Sequence, residues 1–208
     1  MKILVSITSY NRQEMLDNLL DQLKGYDIIV FDDCSDNLTM RSDIKYVVFQ
    51  ENYGKKNAWI KFDKIFNELS KKDYDYFFMI PDDIVLCKDF INKSIKLFDN
   101  IVDNRKISLS LLSDERVKHP NWTNAKPLDK GDVILTGWND LLFVSTKEFF
   151  EVVDSVEVPK DRWDGNESLG SGVGSVLSKQ LYKKNYNMYH SKESLCTHGG
   201  HLSKMNRI

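Results

Sequence analysis

The stretch from Tyr76 to Ile84 constrains the fold of this chain more than any other part of the sequence. A run of large apolar residues there ends abruptly in Pro81, Asp82 and Asp83. Such a run is typical of a strand that is buried on both faces. In open α/β sheets, ligands bind outside the carboxyl ends of the strands, so the two carboxylates are placed to hold a cation or a phosphate. A simple turn is the alternative, because Pro-Asp-Asp is also good turn chemistry.

The segments before this strand repeat a pattern of strand, polar turn and helix. The pattern predicts strands at 2–8, 27–31 and 44–49, a helix that begins near Arg12, and a second helix from Asn57. Asn11 and Glu14 are spaced like a capping box for the first helix, and Gly25 is placed to end it. Because the strands all end in polar residues, we expect these ends to meet at one edge of a parallel sheet.

The rest of the chain has shorter elements and two polar loops. We predict helices at 88–101, from Thr146 and at 171–183, and strands at 107–112, 133–136, 141–144 and 187–190. The irregular segment from 113 to 130 is long enough to indicate a functional loop. From Cys196 onwards the sequence is predicted to be a polar tail.

Composition excludes several classes of protein. The chain has 208 residues, 41% of them hydrophobic and 29% charged, with a net charge of −2. This balance is that of a single soluble domain and provides no overall attraction to nucleic acid. Three widely separated cysteines and the lack of a long apolar run favour a cytoplasmic protein without disulfides.

Two lysines, Lys55 and Lys56, follow Gly54 directly before the second predicted helix. A helix N-terminus attracts anions through its free N–H groups and its dipole, and the two ammonium groups add positive charge. The segment is therefore a candidate phosphate site. An ordinary solvated lysine pair is the alternative.

Three motifs recur in an order that is typical of one family. Thr8-Ser9-Tyr10-Asn11-Arg12 follows the first strand, Asp32-Asp33-Cys34-Ser35 follows the second, and Asn52-Tyr53-Gly54-Lys55 with Ala58 opens the second helix. Together they resemble the GT-A-fold glycosyltransferases of the family-two type. The resemblance implies an α/β, Rossmann-like fold with a mostly parallel sheet flanked by helices and a small acceptor-side lobe. It also implies a single domain in which 1–112 binds the nucleotide sugar and 113–208 binds the acceptor.

The resemblance also implies a divalent metal, Mn²⁺ or Mg²⁺. Asp83 matches the family's metal-binding aspartate, and His198, with Gly200 and Ser203, resembles its C-terminal metal-binding histidine motif. Asp82 would then face the ribose or the sugar. The usual motif has two aspartates separated by one residue, and this chain departs from it. An imidazole ligand favours Mn²⁺ over Mg²⁺. Without the matching Gly200 and Ser203, His198 would be more typical of a structural histidine, buried or at the surface.

Donor and catalytic residues follow from the same resemblance. Those expected to bind the donor nucleotide are Thr8, Tyr10, Arg12, Asp33, Lys55 and Asp82. Among them, Asp33 is expected to hydrogen-bond the base edge or the ribose, and Lys55 to contact the diphosphate or the base edge. Glu167 resembles the family's catalytic base, with Asp164 and Asp140 as rivals, because the usual Glu-Asp is replaced by Asn166-Glu167. A helix-dipole role is the alternative for Glu167. Trp138 and Trp163 are candidates to stack on a sugar or base, and core packing is the alternative for both.

The function implied is transfer of a sugar from a nucleotide-diphosphate sugar, expected to be a UDP-sugar, to an acceptor hydroxyl, with inversion. The acceptor is expected to be a glycan or, less favoured, a hydroxymethylated base in viral-type DNA, contacted by Lys118, His119, Trp122 and Lys126. A sugar-nucleotide nucleotidyltransferase and a non-catalytic nucleotide-binding module remain as alternatives. The first normally has a glycine-rich loop after its first strand, and residues 8–12 contain no glycine.

Overall fold

The computed structural model describes residues 1–113, 128–139 and 141–199. Its strands are β1 (Ile3–Ser9), β2 (Asp27–Asp32), β3 (Lys45–Val48), β4 (Tyr76–Pro81), β5 (Ile84–Leu86), β6 (Lys106–Ser110), β7 (Leu128–Lys130), β8 (Val133–Thr136), β9 (Phe143–Ser145), β10 (Asn187–Ser191) and β11 (Cys196–His198). Its α-helices are α1 (Gln13–Gln22), α2 (Ala58–Ser70), α3 (Phe90–Asp99), α4 (Lys147–Val152) and α5 (Val173–Lys183). A 3-10 helix spans Lys160–Trp163. None of the helices in these ranges has the length and hydrophobicity that crossing a bilayer requires.

A nine-stranded sheet forms the centre, in the order β3-β2-β1-β4-β9-β6-β10-β8-β7. The first four strands in this order run parallel, as do β6 and β10. The two strands that run against the others are β9 and β8. The predicted α/β fold with a mostly parallel sheet is confirmed.

The central strand β4 shows why the sheet needs helices on both faces. Phe77 and Met79 belong to one hydrophobic cluster, with side chains from α2, α4 and α5. Phe78 and Ile80 belong to a second cluster, with side chains from α1 and α3. All four are at most 1% exposed. Because alternate residues of a strand point to opposite faces, the unbroken apolar run serves two cores.

Two local predictions were wrong. Asn11 does not cap α1, which begins after Arg12 without a side-chain cap. Asn11 has a φ of +51° and its amide instead exchanges hydrogen bonds with Asp36 in the next loop, at 2.9 and 2.8 Å. The segment after Cys196 is not a plain tail, because residues 196–198 form β11, which pairs antiparallel with β5. A three-residue strand has too little periodicity to be recognised before its partner is known.

Candidate active site at the carboxyl ends of the strands

Polar residues after β1, β2, β3 and β4 meet at one edge of the sheet, here called the carboxyl-end edge. It comprises residues 9–12, 32–35, 51–56 and 82–83. The parallel pairing of β1 with both β2 and β4 brings these segments together, as the sequence predicts. Thr8 lies at the end of β1, partly buried, and its carbonyl accepts a hydrogen bond from the Asp82 N–H at 2.9 Å.

Asp82 is a buried anchor of this edge. It is 1% exposed, and its carboxylate accepts hydrogen bonds from Ser9 Oγ at 3.0 Å and from the Tyr10 N–H at 3.1 Å. Arg12 Nη1 lies 2.6 Å from its other oxygen. Burial raises the pKa of Asp82, and the Arg12 guanidinium opposes that rise. These bonds fix the turn after β1 to the end of β4.

Asp83 is the more accessible carboxylate, with 13% of its side chain exposed. Arg12 Nη2 lies 3.5 Å from one of its oxygens, and His198 Nδ1 lies 3.9 Å from the other. The pairing of β11 with β5 causes this approach, because it sets His198 opposite Ile84 and joins the Gly199 N–H to the Asp83 carbonyl at 2.8 Å. Residues 115 positions apart in the sequence thus become neighbours.

The donor set at Asp83 and His198 fits a divalent cation. Two ligand atoms on one ion lie within about 4 Å of each other, because each metal–ligand bond is about 2 Å long. A carboxylate oxygen and an imidazole nitrogen suit Mn²⁺. Within the described ranges, no three His, Cys, Asp or Glu side chains are grouped to hold a metal. Gly200 and Ser203 lie outside those ranges.

Asp33 lies at the end of β2 but does not face the solvent. It is 1% exposed, and its oxygens accept from the Tyr53 N–H at 3.2 Å and from Lys61 Nζ at 2.9 Å. The neighbouring Asp32 is also buried and accepts from the N–H and the hydroxyl of Ser35 at 2.7 and 2.6 Å. Lys61 is a site residue that was not predicted from the sequence. Lys61 lies within the apolar stripe of α2, four residues before Ile65, and a lysine at such a position indicates a buried charge with a partner.

Lys55 and Lys56 lie in the turn directly before α2, where Gly54 has a φ of +56° that favours glycine. Both lysines contact Glu167, which is distant in sequence. Lys55 Nζ donates to the Glu167 carbonyl, and Lys56 Nζ lies 2.9 Å from the Glu167 carboxylate. The structure therefore brings the predicted phosphate-binding lysines and the predicted base together at the carboxyl-end edge.

The remaining candidates differ in what the structure describes of them. Asp164 is exposed, and Asp140 lies outside the described residues, as do Lys118, His119, Trp122 and Lys126. Trp163 is 3% exposed and belongs to the hydrophobic core, which matches the packing alternative. Trp138 is partly buried and packs its ring against Gly174 in the first turn of α5, where an added Cβ would lie 3.1 Å from it.

Known structures share this fold. The crystal structure of glucosyl-3-phosphoglycerate synthase from Mycobacterium tuberculosis in complex with Mn²⁺, UDP-glucose and phosphoglyceric acid has a TM-score of 0.59 at 14% sequence identity, covering 97% of this chain and 72% of that one. The same enzyme with phosphoglyceric acid gives a TM-score of 0.56 at 14% identity, covering 99% and 76%. Its complex with Mn²⁺ and UDP-glucose gives 0.53 at 12% identity, covering 99% and 75%. No protein-family model and no curated protein sequence matches the chain.

These likenesses establish the fold. The chain has the glycosyltransferase fold of these structures, as the resemblance in the sequence implies. Which chemistry this fold supports in the present chain depends on the residues at the carboxyl-end edge.

Proposed function

We propose that this chain is a metal-dependent glycosyltransferase that moves a sugar from a UDP-sugar to an acceptor hydroxyl. The observation that carries the proposal is the approach of His198 to Asp83, at 3.9 Å, at the same edge of the sheet as the lysine-rich turn before α2. Residues 1–112 supply the donor side and residues 113–208 the acceptor side. Two of the three solved neighbours were crystallised with UDP-glucose and Mn²⁺, which supports this choice of donor and cation.

The donor would lie across the carboxyl-end edge. Lys55 is the candidate for contact with the diphosphate, because it precedes α2 and its ammonium group is partly exposed. Thr8 and Tyr10 would line the nucleotide. Arg12 is already engaged by Asp82 and Asp83, and it keeps both carboxylates in place.

Asp83 and His198 would hold the cation. When bound, a divalent cation neutralises the negative charge that develops on the leaving diphosphate. Mg²⁺ and Mn²⁺ sites of this kind commonly combine one or two protein ligands with oxygens of the substrate phosphates. Arg12, which lies 3.5 Å from Asp83, adds positive charge to the same side of the site.

Glu167 is the proposed general base. Its carboxylate is 68% exposed and is held at the carboxyl-end edge by Lys56. A carboxylate within reach of the acceptor hydroxyl removes its proton in the transition state, and attack opposite the leaving diphosphate inverts the anomeric carbon. Lys56 would act by positioning this carboxylate.

The proposed acceptor is a hydroxyl of a glycan. Phosphoglyceric acid, the acceptor in two of the neighbouring structures, belongs in the same test because it presents a hydroxyl beside charged groups. A hydroxymethylated base in DNA is the less favoured acceptor, since the net charge of −2 provides no overall attraction to nucleic acid.

The proposal is tested by incubating the chain with a panel of nucleotide sugars and Mn²⁺, with and without acceptors. We expect slow release of the nucleotide diphosphate from one donor, and inverted product once the right acceptor is added. Release of pyrophosphate from a nucleoside triphosphate and a sugar phosphate would instead indicate a nucleotidyltransferase. Tight nucleotide binding without turnover on any acceptor would indicate a binding module.

A further inference from the structure

A buried ion pair lies directly behind the carboxyl-end edge. The side chains of Lys61 and Asp33 are 6% and 2% exposed, and Lys61 Nζ lies 2.9 Å from Asp33 Oδ2. Lys61 belongs to α2 and Asp33 follows β2, so the pair joins the sheet to the helix that opens after the lysine-rich turn. A charged pair in such a place is costly unless its geometry is good and its remaining hydrogen bonds are satisfied.

Asp33 satisfies those conditions because its remaining hydrogen-bonding groups all have partners. These partners lie in different segments of the chain, which Asp33 thereby joins. Its N–H donates to the Ser9 carbonyl at 2.9 Å, which ties it to the end of β1. Its carbonyl accepts from Asn52 Nδ2 at 3.1 Å, and its Oδ1 accepts from the Tyr53 N–H at 3.2 Å. Asn52 and Tyr53 directly precede the Gly54-Lys55-Lys56 turn, so the position of that turn depends on Asp33.

The two carboxylate oxygens of Asp33 are therefore turned inward. One accepts from the Tyr53 N–H and the other from Lys61, and the residue as a whole is 1% exposed. A group that reads the edge of a nucleobase must present a free acceptor to the ligand. Asp33 instead presents its acceptors to the protein.

We infer that Lys61 is a positioning residue for the donor site, and that Asp33 is the anchor through which it acts rather than the reader of the base. Lys61 fixes Asp33, Asp33 fixes Tyr53, and Tyr53 fixes the turn that carries Lys55. The inference rests on the proposed function, because it takes the turn to be the diphosphate site. It makes Lys61 a determinant of donor affinity. It also changes the expected role of Asp33 from contact with the base to positioning of the turn.

The experiment measures the affinity for UDP and for CDP in the presence of Mn²⁺, together with thermal stability. Uracil presents an N–H donor at the ring position where cytosine presents a bare nitrogen, so a carboxylate that reads the base distinguishes the two nucleotides. The variants are Lys61→Met and the double variant Lys61→Met/Asp33→Asn, which removes both buried charges. Lys72→Met is the matched control, because it makes the same change just after the end of the same helix, in a surface pair with Glu68 on α2.

We expect Lys61→Met to weaken UDP and CDP binding by the same factor, about tenfold, as loss of a residue that supports a binding group commonly does. The preference between the two nucleotides should stay unchanged. The double variant should bind UDP more tightly than Lys61→Met, because it no longer contains an unpaired buried carboxylate. If Lys61→Met alone fails to fold, the double variant takes its place in the test. The affinity of the double variant for UDP is then compared with that of the control Lys72→Met.

Three results would overturn the inference. One is wild-type affinity in Lys61→Met or, if that variant does not fold, in the double variant. Another is a change in the UDP-to-CDP preference in either variant, which would return the base-reading role to Asp33. Failure of the unmodified chain to bind either nucleotide would remove the proposed function as well, whereas the first two results leave that function standing.

Discussion

At the scale of single residues, adjacent carboxylates in this chain have different roles. Asp82 is 1% exposed and is held by three donors, whereas Asp83 is partly exposed and lies beside His198. The difference arises because Asp82 is bonded to Ser9, Tyr10 and Arg12 after β1, whereas Asp83 lies toward His198 on β11. Only Asp83 is therefore available to a cation.

Replacing Asp83 by Asn, or His198 by Ala, should weaken UDP binding in Mn²⁺ by at least about tenfold, since even indirect changes at metal sites cost this much. Titration calorimetry measures the affinity, and Thr197→Ala, an exposed change on the same strand as His198, is the control. Unchanged affinity in both variants, or an affinity that survives EDTA, would contradict the assignment.

Glu167→Gln should keep UDP-sugar affinity and thermal stability while lowering turnover by about 10²–10⁴-fold, the usual contribution of a positioned base. Stopped assays of nucleotide release provide the rate. Asp164→Asn and Asp140→Asn are the comparisons and should retain near-normal turnover. If either of them loses activity instead, the role of base moves to that residue.

At the scale of elements, the short pairing of β11 with β5 matters most, because it carries His198 to Asp83. It is only three residues long, but Cys196 anchors it in the hydrophobic core at 3% exposure. In the nine-stranded sheet, Asp103 precedes β6 and accepts hydrogen bonds from two residues of β10, Asn187 Nδ2 and the Tyr189 hydroxyl, both at 2.6 Å.

Cys196 should report whether β11 is docked. Burial raises the pKa of its thiol to about 12, from an ordinary 9.0, which lowers the reactive thiolate near neutral pH about a thousandfold. We expect iodoacetamide to modify the partly exposed Cys34 and Cys87 well before Cys196, as measured by peptide mass mapping. Modification of all three thiols at one rate in the folded protein would show that β11 is not held in place.

Asp103→Asn should lower the free energy of unfolding at pH 7 by about 1–3 kcal/mol, because it weakens bonds to a charged acceptor. Burial alone would raise the pKa of Asp103, but its hydrogen bonds from Tyr189, the Arg105 N–H and Asn187 lower it. A lowered pKa contributes stability that is present above the ordinary value near 4 and is lost as the pH falls through the folded-state value.

The difference between wild type and Asp103→Asn should therefore shrink below about pH 4, as measured by urea unfolding at a series of pH values. Asp43→Asn serves as the control, since Asp43 is exposed and its ion pair with Arg41 lies at the surface, where such pairs contribute little to stability. A difference that stays constant from pH 3 to pH 7 would contradict the linkage.

At the scale of the whole molecule, the sheet and its two cores act as a rigid frame, and the proposed site is assembled from loops at one edge of it. A ligand at this edge contacts segments that follow several different strands, so its binding should stabilise the fold as a whole. Thermal stability therefore reports ligand binding at this edge.

UDP with Mn²⁺ at about 100 times its dissociation constant should add about 2.7 kcal/mol to the free energy of unfolding, which raises Tm by about 5–10 °C in a chain of this size. Differential scanning calorimetry measures the shift. It should disappear with EDTA and in Asp83→Asn. The same rise with UDP alone would show that the cation does not take part in binding.

Much of this protein follows from the sequence by itself. Hydrophobic periodicity predicts the parallel half of the sheet and the helices that cover it, because both are consequences of local pattern. Polar residues at the strand ends predict that Thr8, Arg12, Asp82 and Asp83 meet, because parallel pairing brings these ends to one edge. The tertiary structure alone decided which carboxylates face inward. Asp33 is enclosed by Lys61, and His198 reaches Asp83 through a three-residue strand. Both depend on contacts between residues far apart in the chain, where local sequence carries no signal of the partner.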